Sequence, residues 1–289
     1  MLTTLLCFPI ALAALVPLNW QSAPPAGGAA SEQVGPRAAP ETAPAVRTFL
    51  TEAQQRLYDP QTAGLREISF ELPLDVPGLG PMGQIAIQWA AATGPIVKVR
   101  LESQLSLPPG VPKEMLEFLG QEHGRQFLIH LLNRPIGSLL ESGVAKMGTP
   151  EGALIPIQIE DPQAAAQGLK SQTHYFDEDG QLVKSHASRQ MQGASVTETQ
   201  AWNWSPVSAE NPQLLLRSQS AAKDMGMFKT TTSTTFEYRE VAGIQLLIGM
   251  NQRLELPAMM GGTQSMTLST KSLVVNGQPV EATPTAPLT

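Results

Sequence analysis

The sequence has a single cysteine in 289 residues, Cys7, and it lies inside the leading apolar segment. With that segment removed, no disulfide can form and no thiolate can act, so stability rests on packing alone. Charge is also scarce. Asp, Glu, Lys and Arg make up 15% of the chain, well under the usual quarter, which leaves Gln, Ser, Thr and Asn to wet the surface. The net charge is -6, and the 19 Lys and Arg residues are scattered among acids. No basic run is present to neutralise phosphates, which argues against nucleic acid as a partner. Phosphate-cradling loops, dinucleotide fingerprints and Gly-x-Ser-x-Gly elbows are missing as well. No catalytic residue and no cofactor is assigned.

The four histidines offer no metal site by spacing. His123 and His130 are seven residues apart, which on a helix puts them on one face but about 10 Å apart along the axis, too far for one zinc ion. His174 and His186 flank a turn and are read as solvated or core residues. Asp177, Glu178 and Asp179 precede Gly180 like the opening of a calcium loop, but Ser188 stands where the closing Glu belongs. A carboxylate-rich hairpin turn is the simpler reading.

What is present begins with an export signal. Residues 2–18 are almost wholly apolar, a run too short for a comfortable membrane span, with small residues at Ser22 and Ala23 behind it. This reads as a signal peptide over residues 1–20 and an extracytoplasmic (periplasmic or secreted) location. A retained anchor is the alternative, since no Lys or Arg precedes the run. Residues 21–45 are Pro, Ala and Gly with few large side chains and read as a flexible linker; residues 279–289 read as a disordered tail.

Folding is expected over residues 46–278. Val46, Phe49, Leu50, Ala53 and Leu57 recur at helical spacing up to Pro60. Alternation then takes over: Ile68, Phe70, Leu72 and Leu74; Ile85, Ile87 and Trp89; Val97, Val99 and Leu101, continuing to Leu105 and Leu107. The middle returns to helical period. Leu116, Leu119, Phe127 and Leu131 share a face between Pro112 and Asn133, and a second helix is expected from Ile136, Leu139, Leu140, Val144 and Met147. Strands resume with Ile155, Ile157 and Ile159 and run on. Ile244, Leu246, Ile248, Met250, Leu254 and Leu256 make the longest one-sided strand, and a last strand is expected from Met266 to Val275. Few, clustered helices among many strands define an α+β fold, a curved antiparallel β-sheet with an N-terminal helix and an inserted helical pair over its concave face.

Met250 and Met266 on neighbouring strands, like Met225, Met227, Met259 and Met260, leave three readings open: plain core, an adaptable lining for apolar cargo, or thioether ligands for Cu(I). Trp202 and Trp204 read as strand aromatics of the core, with a sugar or membrane contact as the alternative.

The element order, and the hairpin from Tyr175 to Val183 with the strand pair from Val241 through Pro257, resemble the LolA-like family of periplasmic lipoprotein carriers. The resemblance spans about residues 46 to 275 by element order. It implies an unclosed half-barrel whose apolar concavity, lidded by helices, shelters acyl chains. The expected function is then a non-enzymatic carrier of lipid or acylated-protein cargo working near a membrane. Its cavity would draw on Trp89, Leu116, Leu119, Phe127, Leu139, Leu140, Ile244, Leu246, Ile248, Met250 and Met266. An envelope structural or protein-interaction domain, and a secreted hydrolase with a dispersed site, are the alternatives.

Overall fold

The computed structural model describes residues 42–76, 80–102, 112–133, 136, 139, 143–166, 168–191, 194–226, 228–258 and 262–280. The expected signal peptide, most of the linker and the end of the tail lie outside these residues. So do Leu105, Leu107, Leu140, Met227, Met259 and Met260.

The fold is α+β, mostly β, built on two antiparallel sheets that do not close. The small sheet has the order β14-β13-β1-β2-β3: Gln278–Pro279, Lys271–Val275, Glu67–Val76, Gly80–Ala90 and Gly94–Leu101. The large sheet begins with β12 (Thr263–Ser269), β11 (Ile244–Glu255), β10 (Lys229–Val241), β9 (Leu214–Asp224) and β8 (Ala194–Pro206). It continues with β7 (Leu182–Met191), β6 (Leu169–Phe176), β5 (Ile155–Glu160) and β4 (Val144–Met147). From β4 to β12 every strand pairs with the next in sequence, because short turns favour antiparallel neighbours. A turn at residues 91–93 joins β2 to β3, the hairpin at 177–181 falls where composition places it, and Asp177 Oδ1 accepts the N–H of Gln181 at 2.8 Å.

Three expectations need correction. The run from Met266 to Val275 is two strands, not one. β12 pairs with β11, β13 pairs with β1, and between them the Thr270 N–H donates to Ile248 O at 2.8 Å. The chain steps there from one sheet to the other, which joins them into the half-barrel. Val144 and Met147 do not extend a second helix: β4 pairs them with Glu160 and Ile157. Four residues are too few for periodicity to separate helix from strand. Finally, Ile248 drops out of the one-sided set in β11. The register shifts opposite Glu237 and Tyr238, so Leu247 takes the buried place and Ile248 is half-buried.

Two helices organise the interior. α1 (Pro44–Gln55) starts with Pro at its first turn, where the missing N–H costs nothing. It buries Val46, Leu50 and Ala53 with Ile157, Ile159, Phe176, Leu182 and the isolated Ile136 and Leu139. Phe49 meets Phe176 edge-on at 5.3 Å between ring centres.

α2 (Lys113–Leu132) packs on β2 and β3 and also touches β11 of the large sheet. Gly120 and Gly124 let it lie close on the small sheet. A Cβ on Gly124 would fall 2.6 Å from Val97 Cγ1, and one on Gly120 would fall 2.8 Å from Val99 Cγ2. Leu116, Leu119, Phe127 and Leu131 of α2 join both sheets in the main core, where Phe127 packs on Phe70 at 5.2 Å. Each fully buried leucine or phenylalanine there contributes about 1.5–3 kcal/mol. A one-turn helix, α3 (Pro162–Ala166), links β5 to β6. No helix among the described residues is long and apolar enough to cross a membrane.

Candidate functional site

The inner face of the large sheet is polar where an apolar lining is expected. Strand register sets this out directly. One rung runs Gln172, Ala187, Glu198, Lys223, Thr230 from β6 to β10. The next runs His174, Ser185, Gln200, Ala221, Thr232. A third carries Gln219, Thr234, Gln252 and Met266 from β9 to β12. Side chains two apart on a strand share a face, so the three rungs make one continuous band. Despite its polarity, His174, Ser185, Glu198, Gln200, Lys223, Thr230 and Thr234 are all buried.

The centre of the band is charged. Lys223 Nζ stands 3.8 Å from Glu198 Oε2, Gln200 Nε2 donates to Glu198 Oε1, and Gln219 Nε2 donates to Gln200 Oε1 at 3.2 Å. Burial depresses the Lys223 ammonium below its ordinary range; Glu198 opposes this, and the neighbouring Arg189 adds to it. Burial likewise lowers the Arg189 guanidinium, against the pull of Glu198. Glu198 thus offsets part of the desolvation that both cations suffer.

α2 covers this band with a polar face of its own. His123, Gln126 and His130, at i, i+3 and i+7, lie on one side of the helix. Gln126 and His130 face a pocket of about 40 Å³ whose other walls are Glu198, Gln200, Gln219, Lys223, the threonines of β10, Met250 and Gln252. Gln126 Nε2 and both ring nitrogens of His123 are buried without a hydrogen-bond partner among the described residues. Burial holds His123, His130 and His174 down at about 4, so all three are neutral near pH 7. His174 accepts at Nε2 from Gln172 at 3.0 Å, which leaves its buried Nδ1 as an unmet donor.

The residues expected to line a cargo cavity fall mostly in one place. Trp89, Leu116, Leu119, Phe127, Ile244, Leu246, Met250 and Met266 belong to the main core, with Ile248 packed against it. Leu139 lies apart, in the cluster under α1. Of the core residues, Met250 also borders the pocket. Trp202 and Trp204 are half-buried and touch both clusters, and Trp204 Nε1 donates to Leu182 O at 2.7 Å. No three of His, Cys, Asp and Glu converge as metal ligands among the described residues.

Sequence reading passed over Gln126, Glu198, Gln200, Gln219 and Lys223, and took Gln252 only as the one polar member of an apolar strand face. One signal was there to use: Glu198 and Gln200 share strand parity with Val196 and Trp202, and β10 is Thr-rich on both parities.

No protein-family model, curated protein or solved structure matches this chain.

Proposed function

We propose that the protein is a non-enzymatic extracytoplasmic carrier that takes lipid-like or acylated-protein cargo between α2 and the inner face of the large sheet. The observation that supports this reading is the inequality of the two faces of α2. Towards the small sheet the helix is fitted by Gly120 and Gly124 against Val97 and Val99. Towards the large sheet it presents Gln126, with its amide nitrogen left unmet, and His130, whose ring packs on Phe236. Such an unmet atom costs about 1–3 kcal/mol, so this second seam is the weak one.

A seam of that kind suits an amphiphile. Met250, Met266 and Leu268 continue the band on its apolar side, and the rungs of β8 to β10 supply the polar side. The pocket itself, at about 40 Å³, is far below the roughly 300 Å³ at which small-molecule sites begin. Cargo therefore enters by separating α2 from the large sheet, and the thioethers of Met250 and Met266 adapt to what replaces the helix. The apolar leader at residues 2–18 and the likeness in element order to periplasmic carriers point the same way.

Titration with a fluorescent fatty acid tests the reading. Saturable, stoichiometric uptake, displaced by unlabelled lipid and accompanied by faster hydrogen exchange along α2, is the expected result. No uptake, with α2 as protected as the central strands, would leave a structural or interaction domain as the better account.

A further inference from the structure

We propose that the pocket beneath α2 is a binding site for an uncharged carbonyl group, the ester or amide of an acyl-linked amphiphile, with Gln126 Nε2 as the donor to its oxygen. This rests on the carrier reading and names the part of the cargo that reaches the polar band.

Gln126 is 6% exposed and lines the pocket, and its buried amide nitrogen has no hydrogen-bond partner among the described residues. A buried donor left unmet is rare, and here it belongs to a side chain that lines an open space of about 40 Å³, room for a few atoms. The remaining walls select the chemistry. Gln219, Gln252 and Thr234 are neutral and can both donate and accept. His130 is neutral as well, because burial lowers it to about 4. The anion and cation among the pocket walls, Glu198 and Lys223, already oppose one another across a rung at 3.8 Å.

A free carboxylate would meet the Glu198 carboxylate and would have to compete with it for Lys223, which Glu198 already engages. A bare hydrocarbon would leave the Gln126 donor unmet and cost as much as the empty pocket does. A carbonyl oxygen answers the donor and brings no charge. The pocket holds only such a group, not a chain. The chain then follows Met250, which borders both the pocket and the main core.

The test uses a pair of lipids that differ by one carbonyl: 1-palmitoylglycerol, an ester, and 1-O-hexadecylglycerol, its ether. Palmitate is the charged comparison. Affinities are measured by probe displacement on the wild-type protein and on Gln126→Leu and Gln126→Met. Both substitutions remove an unmet buried donor, so neither should lose stability. In the wild type the ester should bind about tenfold more tightly than the ether, the equivalent of one good hydrogen bond. In both variants that ratio should fall to within about twofold, through loss of ester affinity alone. Equal binding of ester and ether by the wild type would overturn the carbonyl site while leaving the carrier standing. Tighter binding of palmitate than of the ester would overturn it in favour of an anion site. Binding of none of the three would remove the carrier reading and this site with it.

Discussion

Asn133 ends α2 in the left-handed conformation, at φ 49, and its Nδ2 donates to the carbonyl oxygen of Tyr58 at 2.9 Å. The same amide donates to Leu214 O at 3.0 Å, and Gln54 Nε2 donates to Asn133 O at 3.1 Å. Tyr58 in turn accepts the Gln245 N–H at its hydroxyl, at 2.8 Å. One side chain thus ties the end of α2 to the segment after α1, to β9 and, through Tyr58, to β11. In the carrier account this is the fixed end about which the helix swings.

Asn133→Ala should therefore destabilise the fold by about 2–4 kcal/mol, combining two lost hydrogen bonds with the loss of asparagine's tolerance of the left-handed region. Asn133→Gly removes the bonds but relieves the backbone, and should cost about half as much. Denaturant midpoints at constant m-value would separate the two. Equal losses would mean the backbone conformation carries no strain for alanine.

The pair Glu198 and Lys223 predicts a large asymmetry between single and double substitutions. Glu198→Leu leaves a buried ammonium beside Arg189 and should cost about 3–5 kcal/mol. Adding Lys223→Met should recover most of that loss, because removing both charges removes the desolvation penalty with the attraction. Urea unfolding of Glu198→Leu, Lys223→Met and the double variant closes the cycle. A double variant no better than Glu198→Leu alone would show that Lys223 is not held by Glu198.

Close contact of α2 with the small sheet can be tested at Gly124. Alanine there brings a Cβ to 2.6 Å from Val97 Cγ1 and 3.0 Å from Ile85 Cγ2, both on stiff β-branched side chains. A loss of about 1–3 kcal/mol is expected, rescued in part by Val97→Ala. Thermal melts of Gly124→Ala with and without the second change would decide. No loss would mean the helix can retreat towards the large sheet at little cost.

The buried histidines set the acid limb of stability. His123 and His174 sit at about 4 when folded, against an ordinary 6.5. Between those values the unfolded chain binds protons that the native state refuses, so their contribution is complete above about pH 6.5 and is lost as pH falls towards 4. Each supplies on the order of 3 kcal/mol to that slope. Replacing His123 by Leu, which also removes two unmet ring nitrogens, should flatten the decline and raise the midpoint at pH 5 more than at pH 8. Parallel pH profiles for the variant and the wild type would contradict the assignment.

The strands and the long helix were legible because their signals are local. Ile68, Phe70, Leu72 and Leu74 alternate within seven residues, and the turn at Asp177–Gly180 is written in its own side chains. The polar band was not legible, for the opposite reason. Glu198, Lys223 and the threonines of β10 look like a wetted face in their own strands. Their burial comes from position at the centre of nine strands and from a helix that precedes β8 by more than 60 residues. The sheet change at Thr270 has no Gly or Pro to announce it and is fixed by the partners β11 and β1. Most of the apolar residues expected around cargo are buried in the main core, with Leu139 in the cluster under α1, since apolar burial is what the pattern encodes.

Native mass spectrometry of the protein, isolated gently from its own host, addresses the central claim most directly. The carrier account predicts a co-purifying lipid or acylated peptide in stoichiometric amount, lost on organic extraction and bearing an ester or amide. A clean apo mass, with no adduct regained on incubation with membrane lipids, would contradict it.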